Sequence, residues 1–114
     1  MEKLQILMIG RDPVVLQKLL RFVNENPKWQ GTGTIDDTSA KTVFNQQAYP
    51  LVVLVDEIGT ESEMEIRQQF ALKSPSVAFL HHYGDSTGLL ASEIQDYIQS
   101  GKVQMSQATP EQTD

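Results

Sequence analysis

Cysteine is absent from the 114-residue chain. Its absence excludes disulfide bonds, thiolate catalysis and any zinc or iron–sulfur site built from Cys ligands. Long hydrophobic runs are absent as well, since the apolar N-terminal stretch extends only from Leu4 to Ile9 and contains Gln5. Such a stretch is too short for a membrane span or a signal peptide, so we expect a cytoplasmic protein without a membrane partner.

Basic residues are few, because nine Lys and Arg stand against fifteen Asp and Glu and give a net charge of −6. They are scattered along the chain and form no stripe, which argues against a nucleic-acid partner. A phosphate-binding glycine loop is also missing, since Gly31-x-Gly33 lacks a third glycine and follows no strong strand. The sequence therefore favours a small acidic protein without a nucleotide or nucleic-acid site.

What is present indicates one globular domain, because the length and the 39% apolar content suffice for a single core. We assign residues 1–106 to this domain. Residues 107–114 are polar and include Pro110, so we predict a flexible C-terminal tail there.

Four short segments have the composition of β-strands: residues 4–9, 29–35, 51–55 and 77–82. The third segment, LVVLV, is continuously apolar and rich in Val, so we expect it to be buried on both faces. The second segment, WQGTGTI, is interrupted by glycines, which favours a position at a sheet edge. Residues 102–106 are a candidate for a short fifth strand.

Four helical segments follow the strands, each with a candidate N-cap residue. The candidates are Asp12 followed by Pro13; Asp37 or Thr38; Ser62 in the capping-box pattern Ser62-x-x-Glu65; and Ser86 or Thr87. The apolar spacing predicts the inward-facing residues of the four helices. They are Val14, Val15, Leu19, Phe22 and Val23; Ala40, Val43 and Phe44; Met64, Ile66 and Phe70; and Leu89, Leu90, Ile94, Tyr97 and Ile98.

Strands that alternate with helices predict right-handed βαβ units and a doubly wound parallel sheet, an α/β fold. In such a sheet the ligand crevice lies at the carboxyl ends of the strands. The residues that leave those ends are Gly10, Arg11, Asp12, Asp56, His81 and His82. We therefore take these six residues as the candidate crevice.

Three segments at this crevice resemble the receiver domain of two-component response regulators: ILMIGRDP at 6–13, PLVVLVD at 50–56 and VAFLHH at 77–82. The resemblance covers residues 3–106 in the order and spacing of the elements. It implies a flavodoxin-like fold of five β/α units and a role in phosphorelay signal transduction. It also implies that Asp56 stands at the phosphoacceptor position.

The residues around Asp56 depart from the receiver pattern. Where receivers carry an acidic pair that binds Mg²⁺, this chain has Gly10 and Arg11, and only Asp12 follows as an acid. His81 replaces the hydroxyl residue at the end of the fourth strand. Because Mg²⁺ prefers carboxylate oxygens, we expect no metal and no cofactor unless phosphorylation is retained. We expect Asp56 to be solvated or paired with Arg11, and Asp12 to serve as a helix cap.

The two histidines of the fourth strand are adjacent, so His81 and His82 are expected on opposite faces and do not bind one metal ion together. One of them could instead join Asp56 and Asp85 as a metal ligand or a base. This combination defines an alternative, a small metal-binding protein or enzyme that uses Asp56, His81 and Asp85.

The chain ends where the fifth helix of a receiver would start. The resemblance gives one face of the sheet to the first and last helices, so we expect the apolar flank of the first helix to lie open. Apolar patches of this kind are rarely left uncovered on a monomer. We therefore predict a homodimer, or another protein partner, bound to that face or to residues 88–101.

Together these features predict an atypical receiver-like signalling module that is not an enzyme. It would act by protein–protein interaction, without Mg²⁺-dependent aspartyl phosphorylation. Besides the metal-binding alternative, a response-regulator receiver that is phosphorylated at Asp56 remains open.

Overall fold

The computed structural model describes residues 3–103. Eight elements alternate along the chain: β1 (Leu4–Gly10), α1 (Pro13–Glu25), β2 (Trp29–Thr34), α2 (Asp37–Gln46), β3 (Leu51–Val55), α3 (Thr60–Lys73), β4 (Ala78–His82) and α4 (Thr87–Gln99). The strands form one parallel sheet in the order β2-β1-β3-β4. This order confirms the predicted truncated, doubly wound α/β fold and the edge position of β2.

Side chains alternate along the strands and build one hydrophobic core on each side of the sheet. On the side called here the α1/α4 face, Leu19 and Leu90 pack in one cluster with strand residues. On the opposite side, the α2/α3 face, the rings of Phe44 and Phe70 stack with their centroids 4.0 Å apart. Every residue of β3 is buried, as predicted, because helices cover both of its faces.

The last helix, α4, lies on the same face as the first. Leu90 and Ile94 of α4 belong to the core that Leu16 and Leu19 of α1 form over the sheet. The expectation that this face is open is therefore wrong, because α4 takes the place beside α1 that the receiver pattern gives to the last helix. Relative to five β/α units, residues 3–103 lack a fifth strand and the α2/α3-face helix that would lead to it.

The predicted fifth strand is not found where the chain is described. Lys102 and Val103 form a bend, and the amide N–H groups of both residues donate to the carbonyl oxygen of Tyr97, at 3.0 and 3.3 Å. This bend turns the chain back against the end of α4. Residues 104–106 of that prediction, and the predicted tail 107–114, lie outside the described residues.

Two of the four predicted helix starts are confirmed. The Asp12 carboxylate accepts the Val14 and Val15 amides at 2.9 and 3.4 Å, and Pro13 opens α1. The Ser86 hydroxyl accepts the Leu89 amide at the start of α4.

The other two predicted starts are wrong. The N-cap of α2 is Asp36, because its carboxylate accepts the Ser39 amide at 2.7 Å. The Asp37 carboxylate accepts from Arg11 instead. Helix α3 begins at Thr60 after Gly59, which has a φ of 102° and provides no side-chain cap, so the capping-box Ser62 lies inside the first turn.

Most predicted inward-facing residues are buried or partly buried, but three of them are exposed. Val14 is 77% exposed, Met64 66% and Leu89 47%. Val14 and Met64 each precede a buried residue, Leu16 and Ile66, by two positions, which is about 200° around the helix axis. Their exposure therefore follows from the helix period. No helix within residues 3–103 is long and apolar enough to cross a membrane.

Candidate functional site

Asp56 follows β3 at the carboxyl edge of the sheet with a φ of 57°, in the left-handed region that few residues other than glycine adopt. Its backbone is held by β4: the Asp56 amide donates to the His82 carbonyl at 2.7 Å, and the Asp56 carbonyl accepts from His81 Nε2 at 2.6 Å. Its carboxylate accepts the Gly84 amide at 2.8 Å. Asp56 is thus a hydrogen-bonded link between the end of β3 and the loop after β4.

The tautomer of His81 follows from this geometry. A carbonyl oxygen only accepts, so Nε2 carries the proton that binds the Asp56 carbonyl. The other ring nitrogen, Nδ1, lies 3.5 Å from the Tyr83 hydroxyl and 3.9 Å from a Glu63 carboxylate oxygen. The ring also stacks on Tyr83, with centroids 4.4 Å apart. His81 therefore faces the Asp56 backbone and the Tyr83 ring.

His82 lies on the opposite face of β4, as predicted from strand alternation. It is fully buried, and its Nδ1 lies 2.7 Å from a carboxylate oxygen of Glu93 on α4. Its Nε2 is buried without a hydrogen-bond partner within residues 3–103. His82 is thus a polar contact between β4 and α4 beneath the surface, and it does not line the crevice around Asp56.

Arg11 does not pair with Asp56, so the pairing alternative given for Asp56 is wrong. Its guanidinium donates to the Ile35 carbonyl at 2.8 Å, the Asp37 carboxylate at 2.7 Å and the Ile58 carbonyl at 3.0 Å. These acceptors belong to the start of α2 and the loop between β3 and α3. Arg11 therefore ties three loops together along the carboxyl edge.

The carboxylate that receives Arg11 has a shifted pKa. Partial burial raises the pKa of Asp37, but hydrogen bonds from Ser62 and Arg11 and the positive charges of Arg11 and Lys41 outweigh burial. The pKa of Asp37 therefore lies below its usual value. Asp37 stays ionised at neutral pH and keeps the guanidinium in place.

The residues present do not fit a Mg²⁺ ion beside Asp56. Gly10 offers no side chain, and a Cβ added there would meet the Cβ of Val55 at 3.1 Å. The Asp12 carboxylate is occupied as the N-cap of α1, as predicted. Within residues 3–103, no group of three or more His, Cys, Asp or Glu side chains is arranged to hold a metal ion.

The combination of Asp56, His81 and Asp85 is also not assembled. Asp85 forms an ion pair with Lys18 of α1 at 3.3 Å. Among residues 3–103, these three side chains do not form a group that could hold a metal ion. The structure therefore brings Asp56 and His81 together through a backbone carbonyl and leaves Asp85 out.

Sequence reasoning missed three participants in this network: Gly84, Tyr83 and Asp37. Gly84 has a φ of 87°, and the Gly-Asp pair at residues 84 and 85 is a turn signal that could have identified it. For Asp37 the sequence predicts only a helix cap. Nothing in the local sequence indicates that Tyr83 stacks on His81.

No protein-family model matches this sequence, and no curated protein matches it. Solved structures do resemble it. A two-component transcriptional regulator AraC from Clostridium phytofermentans ISDg is 12% identical with a TM-score of 0.63, over 87% of this chain and 98% of that one. The adenylate cyclase from Rhodopirellula baltica is 18% identical with a TM-score of 0.61, over 89% and 72% of the two chains.

A third similar structure is a receiver domain. It is the non-phosphorylated receiver domain of the stress response regulator RcsB from Escherichia coli, 13% identical with a TM-score of 0.55, over 83% of this chain and 76% of that one. Such low identities establish the fold alone. The chain is therefore a receiver-like domain in its fold, with a shortened sheet and an altered carboxyl edge.

Proposed function

We propose that this chain is a receiver-like signalling module that acts through protein–protein contacts and does not run an Mg²⁺-dependent phosphorylation cycle. One observation carries the proposal: the cationic group at the crevice, Arg11, is bound to three acceptors other than Asp56. The module would thus keep the receiver scaffold and hold its loops together without a metal ion.

Aspartyl phosphate formation needs a cation that contacts the incoming phosphoryl group and neutralises its charge. The Arg11 guanidinium would have to leave Asp37 and two carbonyl groups to do so. The Asp56 carboxylate already accepts the Gly84 amide, so a phosphoryl group on it would also disturb the loop after β4. Both features support an interaction role over phosphotransfer.

A cytoplasmic, non-enzymatic role is part of the same proposal. The fold similarity includes a transcriptional regulator and a receiver domain, which supports signalling. The similarity to an adenylate cyclase structure is 18% in sequence identity and concerns the fold alone. A protein is the partner class that this role requires.

Incubation with acetyl phosphate and Mg²⁺, followed by intact-mass measurement, tests the proposal. We expect no phosphorylated species in the wild-type chain. The Asp56→Asn variant is the control, because any modification elsewhere would persist in it. A phosphorylated species that forms in the wild-type chain and disappears in Asp56→Asn would establish the alternative, a receiver phosphorylated at Asp56.

A further inference from the structure

Within residues 3–103, strand β4 pairs with β3 on one side and with no strand on the other. The Ala78 amide donates to Pro50 and the His82 carbonyl accepts from Asp56, so the even-numbered residues of β4 direct their backbone groups toward β3. Phe79 and His81 alternate with them and direct their backbone groups outward. Among residues 3–103, the Tyr97 hydroxyl donates to the Phe79 carbonyl at 3.0 Å on this outer side of β4.

The two edges of the sheet are protected differently. At β2, the Asn24 side chain accepts the Gly31 amide at 2.8 Å and donates to the Gly31 carbonyl at 3.3 Å, so it covers both groups of that residue. At β4, the sequence AFLHH contains no Pro, no Lys and no charged residue of the kind that blocks edge pairing. As far as residues 3–103 are concerned, the β4 edge is therefore open to another strand.

The position of α4 makes a strand from this same chain an unfavourable occupant. Connections between parallel strands are right-handed in about 98% of cases. In this sheet α2 and α3 lead to strands on the β4 side and lie on the α2/α3 face, whereas α4 lies on the α1/α4 face. A parallel strand that followed α4 and joined β4 would need a left-handed connection. The edge thus favours a strand from another molecule.

We propose that β4 pairs antiparallel with β4 of a second copy, about a two-fold axis at Leu80. This register sets Phe79 opposite His81 of the partner subunit, and the reciprocal pair follows by symmetry. In a hydrogen-bonded antiparallel pair both residues exchange their N–H···O bonds, so all four outward-facing residues of the two strands are paired. The Tyr97 hydroxyl can stay on Phe79, because a carbonyl has two lone pairs.

Charges on α3 support this register and this occupant. The Arg67 guanidinium carbon lies 5.0 Å over the Phe79 ring, and its Nε donates to a Glu63 carboxylate oxygen of the same helix at 2.9 Å. The other Glu63 oxygen lies 3.9 Å from His81 Nδ1. Since Phe79 is set opposite His81 of the partner subunit, Arg67 is set opposite Glu63 of the partner subunit. The same axis repeats this opposite-charge contact on the other side. Self-complementarity of this kind identifies a second copy as the partner.

Aromatic side chains also gather at this edge. Phe79 and Tyr97 flank it from the two faces, and Tyr83, which is 55% exposed, lies at its end against His81. Aromatic residues and Arg are enriched in protein–protein interfaces, so this edge has the composition of an interface.

This inference rests on the proposed function only in taking a protein as the partner, and it makes no use of phosphorylation at Asp56.

Light scattering of the full chain over a concentration series tests the proposal. We expect a species of twice the 12.8 kDa chain mass. Arg67→Glu removes the ion pair with Glu63 of the same helix and places like charges across the axis, so it should weaken the dimer by about tenfold or more. The swap Glu63→Arg with Arg67→Glu should restore it. Arg21→Glu, the same change on the exposed side of α1, is the matched control and should leave the dimer intact.

A distance measurement identifies the interface independently. Because the chain has no cysteine, a single Tyr83→Cys variant carries one spin label per molecule. The proposed register sets the two labelled Cα atoms six strand residues apart, about 20 Å along the strands. A chain that stays monomeric at all concentrations would overturn the β4 pairing. A dimer that lacks this distance and is not weakened by Arg67→Glu would overturn it as well. The acetyl phosphate result would be unaffected in either case.

Discussion

The amide of Gly84 donates a hydrogen bond to the carboxylate of Asp56 at 2.8 Å, which joins the end of β3 to the loop after β4. A side chain that the receiver pattern reserves for chemistry thus has a structural role. The left-handed φ of Asp56, 57°, is compatible with that role, because Asp and Asn tolerate this region better than other side chains.

Substitutions at Asp56 should separate backbone strain from hydrogen bonding. Asp56→Asn keeps an acceptor for Gly84 and tolerates the left-handed φ, so its free energy of unfolding should change by less than about 1 kcal/mol. Asp56→Ala keeps the positive φ but loses the acceptor for the Gly84 amide, so it should cost about 1–3 kcal/mol. Urea unfolding of both variants checks this. Equal stability of the two would contradict a structural role for the carboxylate.

Arg11→Ala should destabilise the domain by about 1–2 kcal/mol, because it removes one hydrogen-bond donor from each of two carbonyl groups and from the Asp37 carboxylate. The magnitude is modest since the side chains of Arg11 and Asp37 are 35% and 26% exposed. Arg21→Ala, on the exposed side of α1, is the control and should stay within about 0.5 kcal/mol. Chemical denaturation distinguishes them, and indistinguishable midpoints would contradict the account of Arg11.

Acid stability should depend on Asp37. Its pKa is lowered in the folded state, so the unfolded chain takes up a proton there first as the pH falls. The resulting stabilisation is present above the usual Asp pKa of about 3.9 and is lost as the pH falls toward the lower folded value. Asp37→Asn should therefore show a smaller loss of unfolding free energy between about pH 6 and pH 3 than the wild type. An unchanged slope would count against this assignment.

The buried contact between His82 and Glu93 gives a fourth prediction. Glu93→Ala removes the acceptor of a fully buried ring and should cost about 1–3 kcal/mol. Replacement of both groups, His82→Phe with Glu93→Ala, removes the unpaired polar atoms as well and should recover much of that loss. Thermal unfolding of the single and double variants measures the difference. A double variant less stable than Glu93→Ala would refute the polar account of this contact.

The sequence predicted the scaffold well because its signals are local. The continuous apolar run of β3 identified a strand buried on both faces, and Asp12 before Pro13 identified the start of α1. Strand alternation likewise separated His81 from His82.

The partners of Arg11 could not be predicted in this way, because its acceptors Ile35, Asp37 and Ile58 are 24, 26 and 47 residues away along the chain. The sequence also does not predict which face of the sheet α4 covers. Its apolar spacing identifies buried residues such as Leu90 and Ile94, but the same spacing serves a helix on either side of the sheet.

In the proposed function, Asp56 joins the end of β3 to the loop after β4 and does not accept a phosphoryl group through Mg²⁺. Beryllium fluoride with Mg²⁺, added to the isotopically labelled chain, tests it most directly, with amide NMR shifts of Gly10, Arg11, Asp56 and Gly84 as the readout. We predict spectra that match those recorded with Mg²⁺ alone. Saturable shifts at these amides that vanish in Asp56→Asn would contradict the claim and establish a working phosphoacceptor.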